Sequence, residues 1–377
     1  LGKWSGKTVI GLTGNIGTGK SVVRKMLEHL GAYGIDADQL SHRAMTKGAP
    51  GYKPVVEMFG RWVVAADGQI DRARLGKIVF SDPAALAELE KIIHPLVSQA
   101  VDMLVQRTSQ PVIVIEAIKL LESDLRAACD SVWVTAAPPE VQLRRLMQAR
   151  GMSEAEARQR ITAQPPQAQK TAAAQVVIQN AGTFTETWKQ VSAAYQKISP
   201  EAVEAAPAAS RQTAGELRVV RGKPRHSAEI AELFNRLRMP SRRMNSDDIM
   251  AAFGEKAFLL LQGDGGLVGV IGWQVENLVA RATDVVVDPK LPPQRALKVM
   301  LEDMERASGD LLAEAALVFV GSDLANLDSV WKELGYTRKA PEELTVLAWK
   351  EAALESMPKG AALFFKQLRV DRIMRPV

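Results

Sequence analysis

At 377 residues the chain is too long for one ordinary domain and predicts two. Apolar residues make up 47% and charged residues 24%, which excludes a disordered chain and supplies ample core. The net charge of +5 comes without a dense Lys/Arg block, so it suits phosphate-rich small molecules and gives no sign of a nucleic-acid groove. The only cysteine, Cys129, excludes an intramolecular disulfide, and no Cys/His cluster offers a zinc site. No apolar run approaches the ~18–20 residues that span a bilayer, and the first residues show no signal pattern. A cytoplasmic location without membrane attachment is the expectation, and the oligomeric state is left open.

In chain order, the apolar β-branched run Thr8-Val9-Ile10 reads as a buried strand. Gly11-Leu12-Thr13-Gly14-Asn15-Ile16-Gly17-Thr18-Gly19-Lys20-Ser21 follows, and then Val22, Val23, Met26, Leu27 and Leu30 recur at helical spacing. Strand, glycine-rich turn and helix are the context that makes GxxxxGK[ST] a phosphate-binding loop. The glycines let the backbone turn its N–H groups toward phosphate oxygens. Lys20 reaches the β- and γ-phosphates, and Ser21 is placed to ligate Mg²⁺. The nucleotide site is therefore expected at Asn15, Gly17, Thr18, Gly19, Lys20, Ser21 and Val22, holding a nucleoside triphosphate with Mg²⁺.

A second strand over 32–35 ends in Asp36-Ala37-Asp38. Carboxylates at a strand's C-terminal end lie where ligands bind in open α/β sheets. The pair could share a metal, or a metal and a substrate hydroxyl, or could cap the helix predicted over 39–45. Residues 46–107 read as a helical insertion, with helices over 83–93 and 96–107 separated by His94-Pro95. Strands at 112–115, 131–135 and 176–178 complete a doubly wound parallel sheet. Between the last two, helices over 142–150 and 153–164 carry Arg144, Arg145, Arg150, Arg158 and Arg160. Such a segment is either a solvated face or a flap closing over a transferring phosphoryl group.

Residues 8–198 resemble dephospho-coenzyme A kinase. The resemblance rests on GLTGNIGTGKS, Asp36-Ala37-Asp38, Phe59-Gly60 with Asp67-Gly68, Asp71-Arg72-Ala73-Arg74-Leu75, Val79-Phe80 and Ile93-His94-Pro95. Arg160-Ile161-Thr162-Ala163-Gln164 and Ile178-Gln179-Asn180-Ala181-Gly182 complete it. It implies transfer of the ATP γ-phosphate to the ribose 3′-hydroxyl of dephospho-coenzyme A, the last step of coenzyme A synthesis. In that scheme Asp38 is the general base or hydroxyl-orienting group, Asp36 helps organise Mg²⁺ and substrate, and Asn180 sits near adenine. Lys20, Arg145 and Arg150 neutralise phosphate charge, while Arg72 and His94 belong to the substrate-binding helices. The chain departs from the family in Ile118-Lys119-Leu120-Leu121-Glu122, which lacks a usual proline, in Ala149, and in Gln175 before the last strand.

Residues 199–216, rich in Ala, Pro, Glu and Ser, read as a linker. From 217 the elements run strand, two helices, three strands, helix, strand, helix, with a further helix and strand in the tail. Together with Trp331-Lys332-Glu333-Leu334-Gly335-Tyr336, this order resembles the GNAT N-acetyltransferase superfamily, an α+β fold. Where that superfamily cradles pyrophosphate on a glycine-rich loop, this chain has Asp288-Pro289-Lys290-Leu291-Pro292-Pro293-Gln294-Arg295-Ala296, without glycine and with three prolines. Trp331 stands where a tyrosine often acts as acid, and Glu276 is placed as a base only by its strand end. The division expected is thus a kinase over 1–198, a linker over 199–216 and a non-catalytic GNAT-like domain over 217–377. The alternatives are a bifunctional kinase–acyltransferase, or another P-loop small-molecule kinase with a binding or oligomerisation module.

Overall fold

A computed structural model describes residues 3–199, 217–238 and 242–370. Apart from Ser199, the predicted linker lies outside the described residues. By internal contacts the described chain falls into two units. The first holds residues 3–20 and 32–181, and the second holds 21–31 with the described residues from 182 to 370.

In the first unit a five-stranded parallel sheet is built from β1 (Thr8–Gly14), β2 (Tyr33–Asp36), β3 (Val112–Glu116), β4 (Ser131–Ala136) and β5 (Val176–Gln179). Their order is β2-β3-β1-β4-β5. Ile113 to Ile115 and Val132 to Val134 are fully buried, as continuous apolar runs should be when both faces of a sheet are covered. The chain leaves β1 for β2 on one side, then crosses from β3 to β4 on the other. That reversal opens a crevice at the C-terminal ends of the strands. Gly14, Asp36, Glu116 and Gln179 end their strands there, with Asp36 paired to Glu116 and Gly14 to Thr135.

The helices up to residue 199 are α1 (Lys20–His29), α2 (Ala37–Ala44), α3 (Tyr52–Phe59), α4 (Arg72–Ser81), α5 (Pro83–Arg107), α6 (Pro139–Arg150), α7 (Glu154–Thr162), α8 (Gln167–Ala172) and α9 (Phe184–Ile198), of which α9 and all of α1 after Lys20 fall in the second unit. The insertion after β2 is helical, as expected, but its division at His94-Pro95 is corrected. The helix α5 runs unbroken through Pro95. Proline removes one N–H from the ladder. Here the buried stripe Ile93, Val97, Ala100, Val101 and Leu104, packed with α2 and α4, holds the helix together on both sides of it. The helix α7 begins at the predicted Ser153, whose hydroxyl and Glu156 form a reciprocal capping box. Gln175, the departure before the last strand, pairs with Val132 through both its backbone N–H and its side-chain oxygen, so it takes a place at the start of β5.

Behind β1, Gly11 has no room for a side chain. A Cβ there would lie 2.6 Å from Leu120 Cδ2 and 2.8 Å from Cys129 Sγ. The Cys129 thiol donates to the Leu125 carbonyl (3.1 Å), and burial pushes its pKa up to about 12.

The second unit carries a seven-stranded sheet in the order β11-β12-β10-β9-β8-β7-β6. Its strands are β6 (Arg218–Arg221), β7 (Ala257–Gly263), β8 (Gly266–Glu276), β9 (Val279–Val287), β10 (Ala315–Val320), β11 (Thr337–Lys339) and β12 (Ala362–Gln367). The observed order of strands and helices follows the predicted one, except that the three-residue β11 has no counterpart in it. β6 to β9 are antiparallel neighbours, whereas β10 joins β9 in parallel. That parallel pairing stops at Ala282 and Val318 although β9 continues to Val287, so the two strands part.

Helix 293–310 covers one face of this sheet through Ala296, Leu297, Met300, Leu301 and Met304. Helices 227–237 and 246–252 pack with the β6–β9 end of the other face, and helix 347–356 with β9, β10 and β12. The helix expected over 326–334 is two short pieces, Ser322–Ala325 and Asp328–Glu333. Within the same unit, the His29 Nε2–H donates to the Phe253 carbonyl (2.6 Å), and burial pulls the ring's pKa down to about 4. No helix among the described residues is long and apolar enough to cross a membrane.

Candidate active site

The loop after β1 is turned by Gly17 and Gly19, both in the left-handed region (φ +73° and +86°). At Gly19 a Cβ would also drive into the Asn180 amide, so neither the conformation nor the space admits a side chain. The loop's carbonyls are met by donors from around it. Lys20 Nζ donates to Gly14 (3.2 Å) and to Asn15 (3.5 Å), Arg145 Nη1 to Gly17 (3.2 Å) and Asn180 Nδ2 to Thr18 (2.8 Å). Thr18 Oγ1 donates to the Asn15 carbonyl (2.8 Å) and lies 2.7 Å from Thr135 Oγ1 on β4. With its carbonyls engaged in this way, the loop has N–H groups to offer an anion. Burial first, then the neighbouring Arg144, pulls the Arg145 pKa down, as expected of a cation short of counter-charge.

On the neighbouring strand end the two aspartates divide their work. Asp36 is the N-cap of α2, where its Oδ1 accepts from Gln39 N–H (2.9 Å). Asp38, in the first turn of α2, accepts from Ile118 N–H through Oδ2 (3.2 Å) and feels the charge of Lys20. Burial, and to a lesser degree Glu116, holds the Asp38 carboxyl above the usual carboxylate range. Ile118 N–H, Lys20 and Lys170 oppose that shift. A half-buried carboxylate beside the phosphate-loop lysine is suited to accept a proton from a hydroxyl that attacks a phosphoryl group.

The first unit thus brings together Asn15 to Lys20, Asp36, Asp38, Arg145 and Asn180. Asn180 holds the phosphate loop from behind, a contact its expected place near adenine did not foretell. Ser21 and Val22 open α1 directly after Lys20 and are grouped with the second unit. Arg72 and His94 are exposed on α4 and α5, and neither bonds to the phosphate loop among the described residues. Arg72 instead acts electrostatically on His42. Arg150 ends α6, and its side chain lies outside the described residues.

Two residues with no assigned part also reach this edge. Gln164 Oε1 accepts from Ile16 N–H (2.6 Å), putting a neutral oxygen on an N–H of the phosphate loop. Lys170 Nζ donates to the Ile118 carbonyl (2.7 Å). Gln164 belongs to the Arg160–Gln164 stretch that carries the family resemblance, whereas Lys170 has no signal in the sequence.

Comparison with known proteins agrees with this geometry. The sequence model of the dephospho-CoA kinase family matches residues 8–186. A curated dephospho-CoA kinase of Geobacter sulfurreducens is 40% identical over 195 residues, spanning 51% of this chain and 99% of the relative. The chain belongs to the dephospho-CoA kinase family. Membership makes it an enzyme, a kinase, and the family match lies within its N-terminal half. Among solved structures, the Thermus thermophilus protein TT1252 is 30% identical, with 51% of this chain and 98% of that one covered and a TM-score of 0.47. A putative acetyltransferase of Salmonella typhimurium, solved with acetyl-CoA, is 13% identical and covers 41% of this chain and 95% of its own, with a TM-score of 0.32.

Proposed function

We propose that this dephospho-CoA kinase family member transfers the γ-phosphate of ATP to the ribose 3′-hydroxyl of dephospho-CoA in the cytoplasm, giving coenzyme A. The observation that carries the reading is the carboxylate of Asp38, tied to Ile118 N–H at the C-terminal edge of the sheet and within electrostatic reach of Lys20. Asp38 orients the hydroxyl and accepts its proton as the oxygen attacks phosphorus. Lys20 and Arg145 supply positive charge to the phosphates, and Arg150 is proposed to join them. Such positioning and charge neutralisation account for most of catalysis in phosphoryl transfer.

Mg²⁺ suits this hard oxygen donor set, since it is commonly held by one or two protein oxygens together with substrate phosphates. Ser21 and Asp36 are the residues proposed to hold it, and when bound it neutralises phosphate charge. Among the described residues no group of three or more acids, histidines or cysteines forms a separate metal site. Arg72 and His94 are proposed to serve the acceptor on the helical insertion. The functional boundaries proposed are a kinase over 1–198, a linker over 199–216 and a GNAT-like domain over 217–377. An ATP-consumption assay on the whole chain tests the reading. Turnover with dephospho-CoA is expected, whereas turnover only with a nucleoside monophosphate or a shikimate-like acceptor overturns it.

The GNAT-like part is proposed to be non-catalytic. Of residues 288–296, three are prolines without an N–H, and those of Asp288, Lys290, Leu291, Arg295 and Ala296 already donate to protein oxygens. A pyrophosphate would find few donors there. Trp331, 1% exposed, stacks on Phe364 (4.2 Å between ring centres) and donates its indole N–H to the Leu324 carbonyl. It is core, and it has no proton to give a thiolate. The whole chain is therefore expected to show no multiple-turnover acetylation of small amines or peptides by acetyl-CoA. Steady release of free thiol above the uncatalysed rate is the contrary result.

A further inference from the structure

Lys170 is 4% exposed, yet it lies on the short helix α8 in a segment with no phosphate-binding motif. Its ammonium has three hydrogens to donate. One goes to the Ile118 carbonyl, and no carboxylate lies within ion-pair distance of it among the described residues. A buried ammonium left in that state is costly unless an anion completes its shell. The anion's place is marked by its neighbours. Ile118, which Lys170 holds by the carbonyl together with the Thr13 hydroxyl (3.1 Å), donates its own N–H to Asp38. The ammonium feels Lys20 and Asp38, and burial followed by the repulsion of Lys20 draws its pKa down, against the pull of Glu122 and Asp38. Lys170 and Lys20 are therefore two cations that both act on the carboxylate of the proposed base.

We propose that Lys170 is a phosphate-binding residue of this kinase site, donating from the Ile118 carbonyl to the phosphoryl group during its transfer. The inference rests on the kinase reading above. In the step, the acceptor oxygen forms its bond to the γ-phosphorus and its proton passes to Asp38. The bond from phosphorus to the β–γ bridging oxygen breaks, and its electron pair leaves with ADP. Lys170 keeps its proton throughout and offers charge to the equatorial oxygens, where the transition state spreads its own. The same ammonium fixes Ile118, which makes it a bridge between the group that is transferred and the group that takes the proton.

The decisive variant is Lys170→Gln, which keeps a donor for the Ile118 carbonyl and removes the charge. Turnover of dephospho-CoA should fall about 100-fold while the melting temperature stays near that of the parent, and Lys170→Arg should restore most of the rate. Binding of ADP with aluminium fluoride, a mimic of the transferring phosphoryl group, should weaken in Lys170→Gln by about the same factor, with ADP alone little changed. Parent-like turnover in Lys170→Gln overturns the proposal. So does a loss of turnover with unchanged binding of the fluoride complex, since a purely structural lysine would behave in that way. If the unmodified chain fails with dephospho-CoA but Lys170→Gln still loses the fluoride complex, the acceptor assignment falls and the phosphate site stands.

Discussion

Lys20→Ala is expected to fold and to lose at least about two orders of magnitude in turnover, as when a major electrostatic stabiliser is removed from a phosphoryl-transfer site. Lys20 is buried against the Gly14 and Asn15 carbonyls, so its charge is held at the loop before any nucleotide arrives. The loop has further supports in Thr18, Arg145 and Asn180, which survive the substitution. The melting temperature should therefore change far less than the rate. Steady-state kinetics and thermal melting on the same preparation check both halves, and near-parental turnover would remove Lys20 from the site.

Asp38→Asn should depress kcat by a comparable factor and leave the KM for ATP nearly unchanged, because the carboxylate serves the acceptor hydroxyl. Its pH behaviour gives an independent test. The reaction needs the ionised form, and burial raises the Asp38 pKa, so activity should fall with acid along a limb lying above the ordinary carboxylate value of about 4. In Asp38→Asn that limb should vanish from the residual rate. The stability effect has the opposite sign. A carboxyl whose pKa is raised on folding favours the native state at low pH, and that advantage is lost as pH rises through the unfolded and then the folded value. At neutral pH the Asn variant, which can still accept from Ile118 N–H, should melt at or above the parent temperature. A change confined to ATP affinity would reassign Asp38 to nucleotide or metal binding.

The parts of the site legible in the sequence are those written locally. Strand, glycine turn, Lys20 and helix are contiguous, and Asp38 follows the next strand within a few residues. The sheet was legible for the same reason, since β3 and β4 are unbroken apolar runs. What escaped is made by distance. Gln164 meets Ile16 across 148 residues and Lys170 meets Ile118 across 52, so neither contact has a local pattern. Pro95 misled because proline's local penalty is overridden by the apolar stripe on both sides of it. Asp36 shows a different limit: one side chain fits a cap and a metal ligand equally well in sequence, and its bond to Gln39 N–H establishes the first use without excluding the second. The three-residue β11 is too short for any alternation to register, and only its partner β12 defines it.

The protonated, enclosed thiol of Cys129 should react only slowly with maleimides and iodoacetamide, which attack as readily as thiolate is available. With no other cysteine in the chain, a single one introduced at an exposed position such as Gln159 on α7 would take a fluorophore or spin label alone, without prior removal of a native thiol. Whether the arginine-bearing segment moves during turnover thus becomes a spectroscopic question in an otherwise unaltered enzyme.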